Sequence, residues 1–336
     1  MNVIELPPQV ALVQMMTGYW ISQSVYVAAK LGIADLLRDG PRTSEEIAAA
    51  CQAHPASLYR LLRALASVGV FAEVDSTRFG LTPTADLLRS DNPGSMRALA
   101  IMYGEEQYRA WGDALWSIQT GSPAFDRLFG ASYFQYLADH PESGATFNTA
   151  MTGWSAQVAS AVVETYDFSD SGMVVDVGGG HGTLIAAILA THPHMHGILF
   201  DLPYVVASAT QFLTASGVVD RCQTLSGDFF EVLPSADTYI LAQILHDWDD
   251  NHSRTILQNC HAAMSSSGRI LIIELVIPVG NEPFLGKLLD LHMLMLLTGR
   301  ERTEAEYRDL LDSAGFRLTR VIPTSSGASL VEAVRR

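Results

Sequence analysis

A glycine-rich turn between an apolar strand and a helix is the feature that most constrains the fold of this chain. An apolar strand carrying Asp176 precedes the turn, and a helical segment begins near Thr183 after it. Between them, glycines stand at alternate positions: Gly178, Gly180 and Gly182. Glycine lets the backbone turn sharply and approach a bound cofactor closely. Strand-like and helix-like segments alternate after this turn, which predicts a mostly parallel, doubly wound α/β sheet.

Apolar runs before and after the turn define the expected strands of this sheet. We expect strands at residues 173–177, 197–201, 223–226, 238–243, 269–275, 316–322 and 329–334. The last two follow one another directly, which predicts an antiparallel edge. A capping-box signature at Thr303 and Glu306 predicts a helix that runs to Ser313 just before them.

The first hundred residues read as short helices followed by a small hairpin. Thr43 and Glu46 form a second capping-box signature, and an apolar helix face runs from Leu58 to Val68. Helix, turn, helix and hairpin together are typical of a winged helix, a fold that often reads DNA. The second helix offers only two arginines to nucleic acid, so we favour a packing or dimerisation module.

Composition favours a globular enzyme and disfavours several other classes. The 336 residues are 48% hydrophobic and 17% charged, and the formal net charge of -15 disfavours nucleic acid or an anionic membrane as partner. The three cysteines have no metal-type spacing, which fits a reducing cytoplasm. The sequence contains no apolar run of 18 residues and no recognisable secretion signal, so we expect neither a membrane span nor export.

Acidic residues stand at the carboxyl ends of three expected strands, where ligands bind in doubly wound sheets. Asp176 ends the first strand, Asp201 the second, and Asp228 follows the third beside Phe229. An acid in the second position can accept both hydroxyls of a ribose, and the Asp228–Phe229 pair can take an adenine. A dinucleotide fingerprint would need a third glycine at position 183, where this chain has threonine, so NAD is disfavoured.

A histidine lies just beyond the fourth expected strand, in the run Leu245-His246-Asp247-Trp248-Asp249-Asp250. Histidine titrates near neutral pH and suits general-base chemistry. A structural histidine, with Asp249 or Asp250 capping the next helix, is the alternative, but the position of His246 at the mouth of the sheet favours the base. A metal site is disfavoured, because these consecutive residues would point in different directions.

Two glutamates are candidates to support that histidine. Glu274 ends the apolar fifth strand, where a carboxylate is costly unless it is paired. Glu301 precedes the helix that starts near Thr303, and a base histidine needs a partner that fixes its tautomer. For Glu301 the alternative is a surface acid paired with Arg300 or Arg302.

These motifs, in this order and spacing, resemble the plant-type small-molecule O-methyltransferases, the caffeate and hydroxyindole group with bacterial members that modify aromatic natural products. The resemblance covers nearly the whole chain. It rests on D-V-G-G-G-x-G, F-D-L-P, G-D-F-F, L-H-D-W-D-D, the glutamate at the strand end and G-x-E-R-T. It implies a class I methyltransferase fold that binds S-adenosylmethionine (SAM), releases S-adenosylhomocysteine (SAH) and needs no metal. It also implies a cytoplasmic homodimer formed through the N-terminal winged-helix domain.

The resemblance assigns roles to individual residues. It implies that His246 is the general base and that Glu274 and Glu301 flank it. The expected cofactor contacts are Asp176, Gly178, Gly180, Asp201, Leu202, Asp228, Phe229, Gln243, Trp154 and Ser155. The expected substrate pocket is formed by Met102, Phe147, Met151, Asp247, His292, Met293 and Met295, with Trp154 as a further candidate.

The resemblance also implies how the chain is divided into domains. We expect a winged-helix dimerisation domain over residues 1–100, a helical linker that contributes to the pocket over 101–165, and a SAM-binding catalytic domain over 166–336.

The chain departs from the family pattern near the expected adenine. Many members carry Lys or Arg there, where this chain has Ala242 and Gln243. Glutamine still donates hydrogen bonds.

The predicted function is SAM-dependent methylation of a hydroxyl group on a small phenolic or polycyclic aromatic. Because some members of the family have changed reaction, a SAM-bound relative that decarboxylates or hydroxylates is one alternative. A winged-helix regulator that senses a ligand is the alternative from a different class.

Overall fold

The computed structural model describes residues 7–336, which divide into two compact units. The first unit extends to Arg109 and also includes Leu137–Gly153. The second unit comprises Ala110–Tyr136 and Trp154–Arg336. None of the helices within residues 7–336 has the length and apolar character that crossing a membrane requires.

The first unit is mainly helical, with one small sheet, and three helices (α8, α11 and α12) contribute residues to both units. The elements up to residue 165 are α1 (Pro8–Met16), α2 (Gly18–Lys30), α3 (Ile33–Leu36), β1 (Arg42–Thr43), α4 (Ser44–Ala50), α5 (Pro55–Ser67), β2 (Phe71–Asp75), β3 (Arg78–Leu81), α6 (Pro83–Asp86), α7 (Arg97–Gly104), α8 (Glu106–Trp111), α9 (Ala114–Thr120), α10 (Ala124–Phe129), α11 (Tyr133–Asp139) and α12 (Pro141–Thr165).

The predicted helices and hairpin of the first unit are present. Thr43 and Glu46 form the capping box of α4, and β2 pairs with β3 in a small antiparallel sheet of order β1-β3-β2. The apolar face of α5 is buried in the core of the unit itself, through Leu58, Leu62 and Leu65. These three side chains are therefore not available for a contact with a second subunit. Exposed apolar residues lie instead on α1, which buries none of its residues.

The second unit alternates strands and helices around one sheet. Its further elements are β4 (Met173–Val177), α13 (Thr183–Thr191), β5 (His196–Asp201), α14 (Pro203–Ala215), β6 (Cys222–Ser226), β7 (Ala236–Ala242), α15 (Asp250–Ala263), β8 (Met264–Glu274), α16 (Leu285–Leu296), α17 (Glu304–Ser313), β9 (Phe316–Pro323) and β10 (Ser329–Arg335). Short 3-10 turns cover Val219–Arg221 and Leu245–Asp247.

The sheet confirms the predicted doubly wound α/β class. Its seven strands within residues 7–336 have the order β6-β5-β4-β7-β8-β10-β9. Strands β4 to β8 pair in parallel, and β10 is antiparallel to both β8 and β9. Strand β8 begins at Met264, five residues before the predicted start at residue 269. The prediction missed this start because the residues between are serines and a glycine, which have no apolar pattern.

Both faces of the sheet are buried, because successive side chains of a strand point to opposite faces. Val175, Tyr239 and Ile272 pack on one face with residues of α15 and α17. Residues such as Val174 and Ile240 pack on the other face with residues of α12, α13 and α14. The near-continuous apolar runs that predicted the strands reflect this double burial. The carboxyl ends of β4, β5, β7 and β8 consequently meet at one edge, where the candidate site lies.

Candidate active site

The turn after β4 needs glycine for two physical reasons. Gly178 and Gly180 have φ angles of +68° and +59°, a region that residues with a β-carbon rarely adopt. A β-carbon on Gly178 would come within 2.5 Å of the Ile244 side chain, whereas one on Gly180 would meet no atom within 4 Å. The backbone at Gly180 is therefore open to close approach by a ligand.

Asp201 holds the glycine turn against the end of β5. One oxygen of its carboxylate, Oδ2, accepts a hydrogen bond from the Gly180 N–H at 2.8 Å, and Oδ1 accepts one from the Leu202 N–H at 2.7 Å. Burial raises the pKa of this carboxyl. Leu202, the next residue, leaves its apolar side chain 40% exposed beside the carboxylate. Carboxylate and apolar side chain together suit a ribose and an adjoining base.

Two of the residues expected to contact the cofactor have a buried polar atom with no hydrogen-bond partner among residues 7–336. These atoms are Oδ2 of Asp176 and Nε1 of Trp154, which lies on the part of α12 that belongs to the second unit. Burial, with the charge of Asp201 adding to it, raises the pKa of Asp176 to about 7. Buried polar groups are ordinarily paired, so these two atoms mark places where a polar ligand could bind. Ser155, beside Trp154, is half-buried.

The expected adenine side of the site contains three further candidates. Oδ1 of Asp228 accepts a hydrogen bond from the Phe230 N–H at 2.8 Å, and the Phe229 ring lies edge-on to Trp248 at 6.0 Å. Gln243 adopts a φ of +58°, and both its backbone and side-chain N–H groups donate to the Ile273 carbonyl. Its amide is thus engaged by the neighbouring strand in this structure.

His246 lies in the 3-10 turn after β7 and is surrounded by carboxylates. Its Nδ1 atom lies 2.7 Å from Oε1 of Glu301, and its Nε2 atom lies 3.5 Å from Oδ1 of Asp247. Its backbone N–H donates to Oε1 of Glu274 at 3.1 Å. Only 7% of His246 is exposed, so these three acids interact with it in a largely water-free environment.

The electrostatics of this cluster favour a bound proton. Burial alone lowers the pKa of His246, but the charges of Asp247, Glu301 and Glu274 outweigh it and raise that pKa to about 10. Burial raises the pKa of Asp247 to about 7, and burial also raises the pKa of Glu274. A neutral imidazole has only one N–H, so carboxylates at both ring nitrogens are best satisfied by the imidazolium.

The two glutamates are inside the protein and act on His246 from different elements. Glu274 ends β8 with no exposed area, and its Oε2 accepts a hydrogen bond from the hydroxyl of Tyr307. Glu301 is 1% exposed, and its backbone N–H donates to Oδ1 of Asp290 at 3.0 Å. The surface alternative for Glu301 is therefore wrong.

The arginines on either side of Glu301 have other partners. Arg300 pairs with Glu306 on the surface. Arg302 is 1% exposed and donates to the carbonyls of Leu245 and Trp248, at 2.9 Å and 3.0 Å, as well as to Asp250. It therefore holds both ends of the turn that carries His246. Sequence reasoning missed this role, because nothing in a single sequence shows which carbonyls an arginine will reach.

One more sequence prediction for this loop has a clear outcome. Asp249 caps α15, as the alternative for this run proposed, through hydrogen bonds from the N–H groups of Asn251 and His252. The same loop nonetheless presents His246 to the glutamates. Within the described residues, no group of three or more His, Cys, Asp or Glu side chains is arranged to hold a metal ion.

The predicted pocket residues fall into two sets. His292, Met293 and Met295 are buried on α16 of the second unit, and the Trp111 Nε1–H donates to Nδ1 of His292 at 2.8 Å. Met102 is buried on α7, and Phe147 and Met151 are half-buried on α12; these three belong to the first unit. The role of each as a substrate contact stays a prediction.

Comparison with protein-family models identifies two regions of the chain. Residues 13–91 match an O-methyltransferase dimerisation domain, and residues 110–317 match an O-methyltransferase domain.

Comparison with characterised proteins gives relatives of full length. The chain is 55% identical over 329 residues to phenazine O-methyltransferase PhzM of Lysobacter antibioticus, and the match covers 98% of this chain and 96% of that protein. It is 34% identical over 325 residues to a phenazine-1-carboxylate N-methyltransferase of Pseudomonas aeruginosa, with 96% of both chains covered. The relatives thus include enzymes that methylate nitrogen.

Solved structures agree with the family models. The crystal structure of LaPhzM is 54% identical with a TM-score of 0.95, over 98% of this chain and 100% of that one. The structure of NcsB1 with SAM and 2-hydroxy-5-methyl naphthoic acid is 35% identical with a TM-score of 0.83, over 94% of this chain and 96% of that one. The structure of human N-acetylserotonin methyltransferase with SAM is 28% identical with a TM-score of 0.90, over 100% of this chain and 99% of that one. This chain belongs to the SAM-dependent O-methyltransferase family of enzymes.

Proposed function

We propose that this enzyme transfers a methyl group from SAM to a hydroxyl of a small, flat aromatic compound, with His246 as the general base. The observation that carries the proposal is the buried pair of His246 and Glu301, whose Nδ1 and Oε1 atoms are 2.7 Å apart. Relatives that act on phenazines and on hydroxybenzoates support a fused or substituted aromatic substrate.

The residues at the carboxyl ends of β4 and β5 fit SAM. The open backbone at Gly180, the carboxylate of Asp201 and the unpartnered Oδ2 of Asp176 provide groups for a polar, cationic ligand with a ribose. Leu202 and Phe229 provide apolar surface for its base. When bound, SAM supplies an electrophilic methyl group on a positively charged sulfur, and no metal is needed for that chemistry.

His246 acts once its Nε2 atom carries a lone pair. Glu301 accepts a hydrogen bond from Nδ1–H and so fixes the tautomer in which Nε2 is the basic nitrogen. Nε2 then takes the proton of the substrate hydroxyl as the oxygen becomes nucleophilic. Glu274 holds the backbone of His246, and Arg302 holds the two ends of its turn, so the base stays in place during the transfer.

A buried base favours transfer to oxygen over transfer to nitrogen. An aromatic ring nitrogen has a lone pair at neutral pH and needs no deprotonation, whereas a phenol has a pKa of about 10 and does. The His246–Glu301 pair is therefore more useful to an O-methyltransferase. The retained base likewise argues against a relative that only decarboxylates or hydroxylates, and the family match is to an enzyme rather than to a regulator.

We also propose that the enzyme is a homodimer. The first unit matches a dimerisation domain, and Leu12, Met15 and Met16 of α1 are 57%, 76% and 58% exposed. Apolar surface of that extent on one helix is typical of a subunit interface. Light scattering should give twice the monomer mass at micromolar concentration, and Leu12→Asp with Met16→Asp should weaken the dimer; a wild-type monomer would contradict the proposal.

Mass spectrometry of the products tests the reaction. The purified protein is incubated with SAM and a panel of hydroxylated phenazines, naphthoates and benzoates, with and without EDTA. We expect one added methyl group on oxygen, identified by NMR of the product, at a rate that EDTA leaves unchanged. Product methylated on nitrogen alone, or a rate that EDTA abolishes and magnesium restores, would overturn the proposal.

Calorimetry tests the cofactor assignment separately. Asp201→Ala removes the acceptor expected for the ribose hydroxyls and should weaken SAM binding by a factor of ten or more. Asp39→Ala, a surface change in the first unit, serves as the control and should leave SAM binding unchanged. Tight binding of NAD with no binding of SAM would end this assignment.

A further inference from the structure

Glu301 holds His246 through only one of its two carboxylate oxygens. Oε1 lies 2.7 Å from Nδ1 of His246, whereas Oε2 is buried and has no hydrogen-bond partner among residues 7–336. A carboxylate can accept several hydrogen bonds, so a second donor could have oriented this group. The direction in which the carboxylate faces the base therefore depends on where the backbone of residue 301 is placed.

A side chain on a neighbouring helix accepts the backbone N–H at this position. Glu301 lies in the connection between α16 and α17, and its N–H donates to Oδ1 of Asp290 on α16 at 3.0 Å. One residue later the carbonyl of Arg302 accepts a hydrogen bond from the Ile277 N–H at 2.9 Å. Loss of the single side chain of Asp290 would thus remove the hydrogen bond that ties residue 301 to α16.

Helix α16 gives the Asp290 carboxylate a fixed support. Leu289, directly before Asp290, packs against the core that covers one face of the large sheet, and so does Phe284 at the start of the helix. Met293 and Leu296, further along the helix, are 7% and 1% exposed. The acceptor for the Glu301 N–H is therefore carried by a helix that is anchored in the core of the second unit.

The surroundings of Asp290 disfavour its negative charge. Burial raises the pKa of this carboxyl, and the charges of Glu301 and Glu306 raise it further; the Glu301 N–H and the charge of Arg300 act in the opposite direction. Arg300 has Glu306 as its ion-pair partner. An acid beside other acids is unfavourable unless it makes a specific contact, and the hydrogen bond from the Glu301 N–H supplies one.

We propose that Asp290 is a positioning residue whose carboxylate places the backbone of Glu301 so that Oε1 meets Nδ1 of His246. The inference rests on the proposed function, because it concerns how the general base of that reaction is held. Asp290 acts through Glu301 and takes no proton from the substrate. Its loss should consequently affect methyl transfer and leave SAM binding unchanged, since the expected cofactor residues lie on other loops.

Three substitutions at position 290 separate the acceptor from its charge. Asp290→Ala removes the acceptor and should lower kcat on a phenol by about tenfold, less than a misplacement of about 1 Å does at a catalytic group. Asp290→Asn keeps an acceptor oxygen in the same place and should retain most of kcat. Asp290→Glu keeps the charge but displaces the acceptor, so its kcat should be lower than that of Asp290→Asn. Asp309→Ala, which removes an exposed acid on α17, is the matched control and should leave kcat unchanged.

A double-substitution cycle tests whether Asp290 acts through Glu301. In a Glu301→Gln background, Asp290→Ala should lower kcat further by less than about twofold, because the effects of residues that act as a unit do not add. An equal loss in both backgrounds would mean that Asp290 serves the fold or another group, and it would overturn the proposal.

Proton NMR of the SAH complex reports on the contact itself without turnover. A short hydrogen bond between an imidazolium N–H and a carboxylate gives a signal far downfield, and the signal that Glu301→Gln removes belongs to the His246–Glu301 pair. We expect Asp290→Ala to shift this signal upfield and Asp290→Asn to leave it in place. Thermal unfolding reports the folding of each variant, and Asp290→Glu provides the comparison where Asp290→Ala does not fold.

The outcomes distinguish this inference from the proposed function. Wild-type kcat and an unchanged signal in Asp290→Ala would overturn the role of Asp290, while product methylated on oxygen still supported the proposed function. A signal that Asp290→Ala shifts and Asp290→Asn keeps, in an enzyme that gives no methylated product, would support the role of Asp290 and contradict the proposed function. Wild-type kcat in Asp290→Glu with a loss in Asp290→Asn would assign the effect to charge and overturn the proposal.

Discussion

The α-carbon of Gly299 lies against the backbone carbonyl of His246, so closely that a β-carbon at position 299 would overlap the carbonyl oxygen. Gly299 needs no positive φ, so the reason for glycine here is space alone. The segment that carries Glu301 therefore approaches the turn that carries His246 as nearly as two backbones can, and the 2.7 Å contact between their side chains depends on this approach.

Gly299→Ala should separate the two segments and lower kcat by about 10²-fold, the effect of a misplacement of about 1 Å at a catalytic group. SAM affinity should change little, because the cofactor residues lie on other loops. Steady-state kinetics and calorimetry measure the two quantities. Gly18→Ala, at a position where a β-carbon meets no atom within 4 Å, is the matched control. Wild-type kcat in Gly299→Ala would show that this contact does not position the base.

His246→Ala should slow methylation by about 10²–10⁴, the usual effect of losing a general base. SAM affinity should stay near that of the wild type. Higher pH should partly restore the rate, because a phenol with a pKa of about 10 then ionises without help. The pH–rate profiles of both proteins on one phenol provide the measurement. Full activity of the variant at neutral pH would mean that the enzyme acts by proximity alone.

Tyr307→Phe should lower kcat less than the loss of His246 does, and it should also destabilise the fold. The Tyr307 hydroxyl donates to Glu274, which in turn accepts the backbone N–H of His246, so the variant leaves one buried carboxylate oxygen without its donor. We expect a loss of about 1–3 kcal/mol in the free energy of unfolding, measured in urea. Glu274→Gln, which keeps the shape but removes the charge, should lower kcat by less than His246→Ala does. An unchanged stability of Tyr307→Phe would contradict this account.

The pH dependence of stability should reveal the proton on His246. Its pKa rises from 6.5 to about 10 in the folded protein, so the native state binds the proton more tightly than the unfolded chain. Its contribution to the free energy of unfolding is therefore complete below pH 6.5 and is lost as the pH rises toward 10. Urea unfolding at several pH values should show this fall in the wild type and a smaller one in His246→Gln. Identical slopes in the two proteins would show that another group is responsible.

SAM and SAH should differ in the protons that their binding releases. The imidazolium of His246 must lose its proton before it can act as a base, and a positive sulfur brought near the accepting oxygen disfavours a second positive charge. At pH 8, calorimetry in two buffers of different ionisation enthalpy should show proton release with SAM and little with SAH, whose sulfur is neutral. Equal release with both ligands would exclude this coupling.

The fold could be predicted in detail because its signals are local. Apolar runs marked the central strands of the large sheet, since strands buried on both faces need continuous apolar residues. Capping boxes at Thr43 and Thr303 marked two helix starts correctly. The start of β8 was missed because Ser265 and the residues up to Gly268 have no apolar signature.

The site could be predicted only in part. The positions of His246, Glu274 and Glu301 followed from motifs, but the partners Tyr307, Arg302 and Trp111 did not. Each of these contacts joins elements distant in sequence, and the choice of partner depends on packing that a single sequence does not show. The burial of the apolar face of α5 could not be predicted for the same reason, because an apolar helix face does not reveal whether its own unit or another subunit covers it.

The place of β10 between β8 and β9 has a consequence for how the enzyme is made. Strand β10 pairs on both sides, and Glu332 within it accepts hydrogen bonds from Tyr166 and Thr319. While residues 329–335 are still inside the ribosome, β8 has an open edge and β9 has no neighbour to join. The large sheet therefore closes only after residues 329–335 have left the ribosome, and a chain that stops before Ser329 would present that edge to chaperones, proteases or other nascent chains.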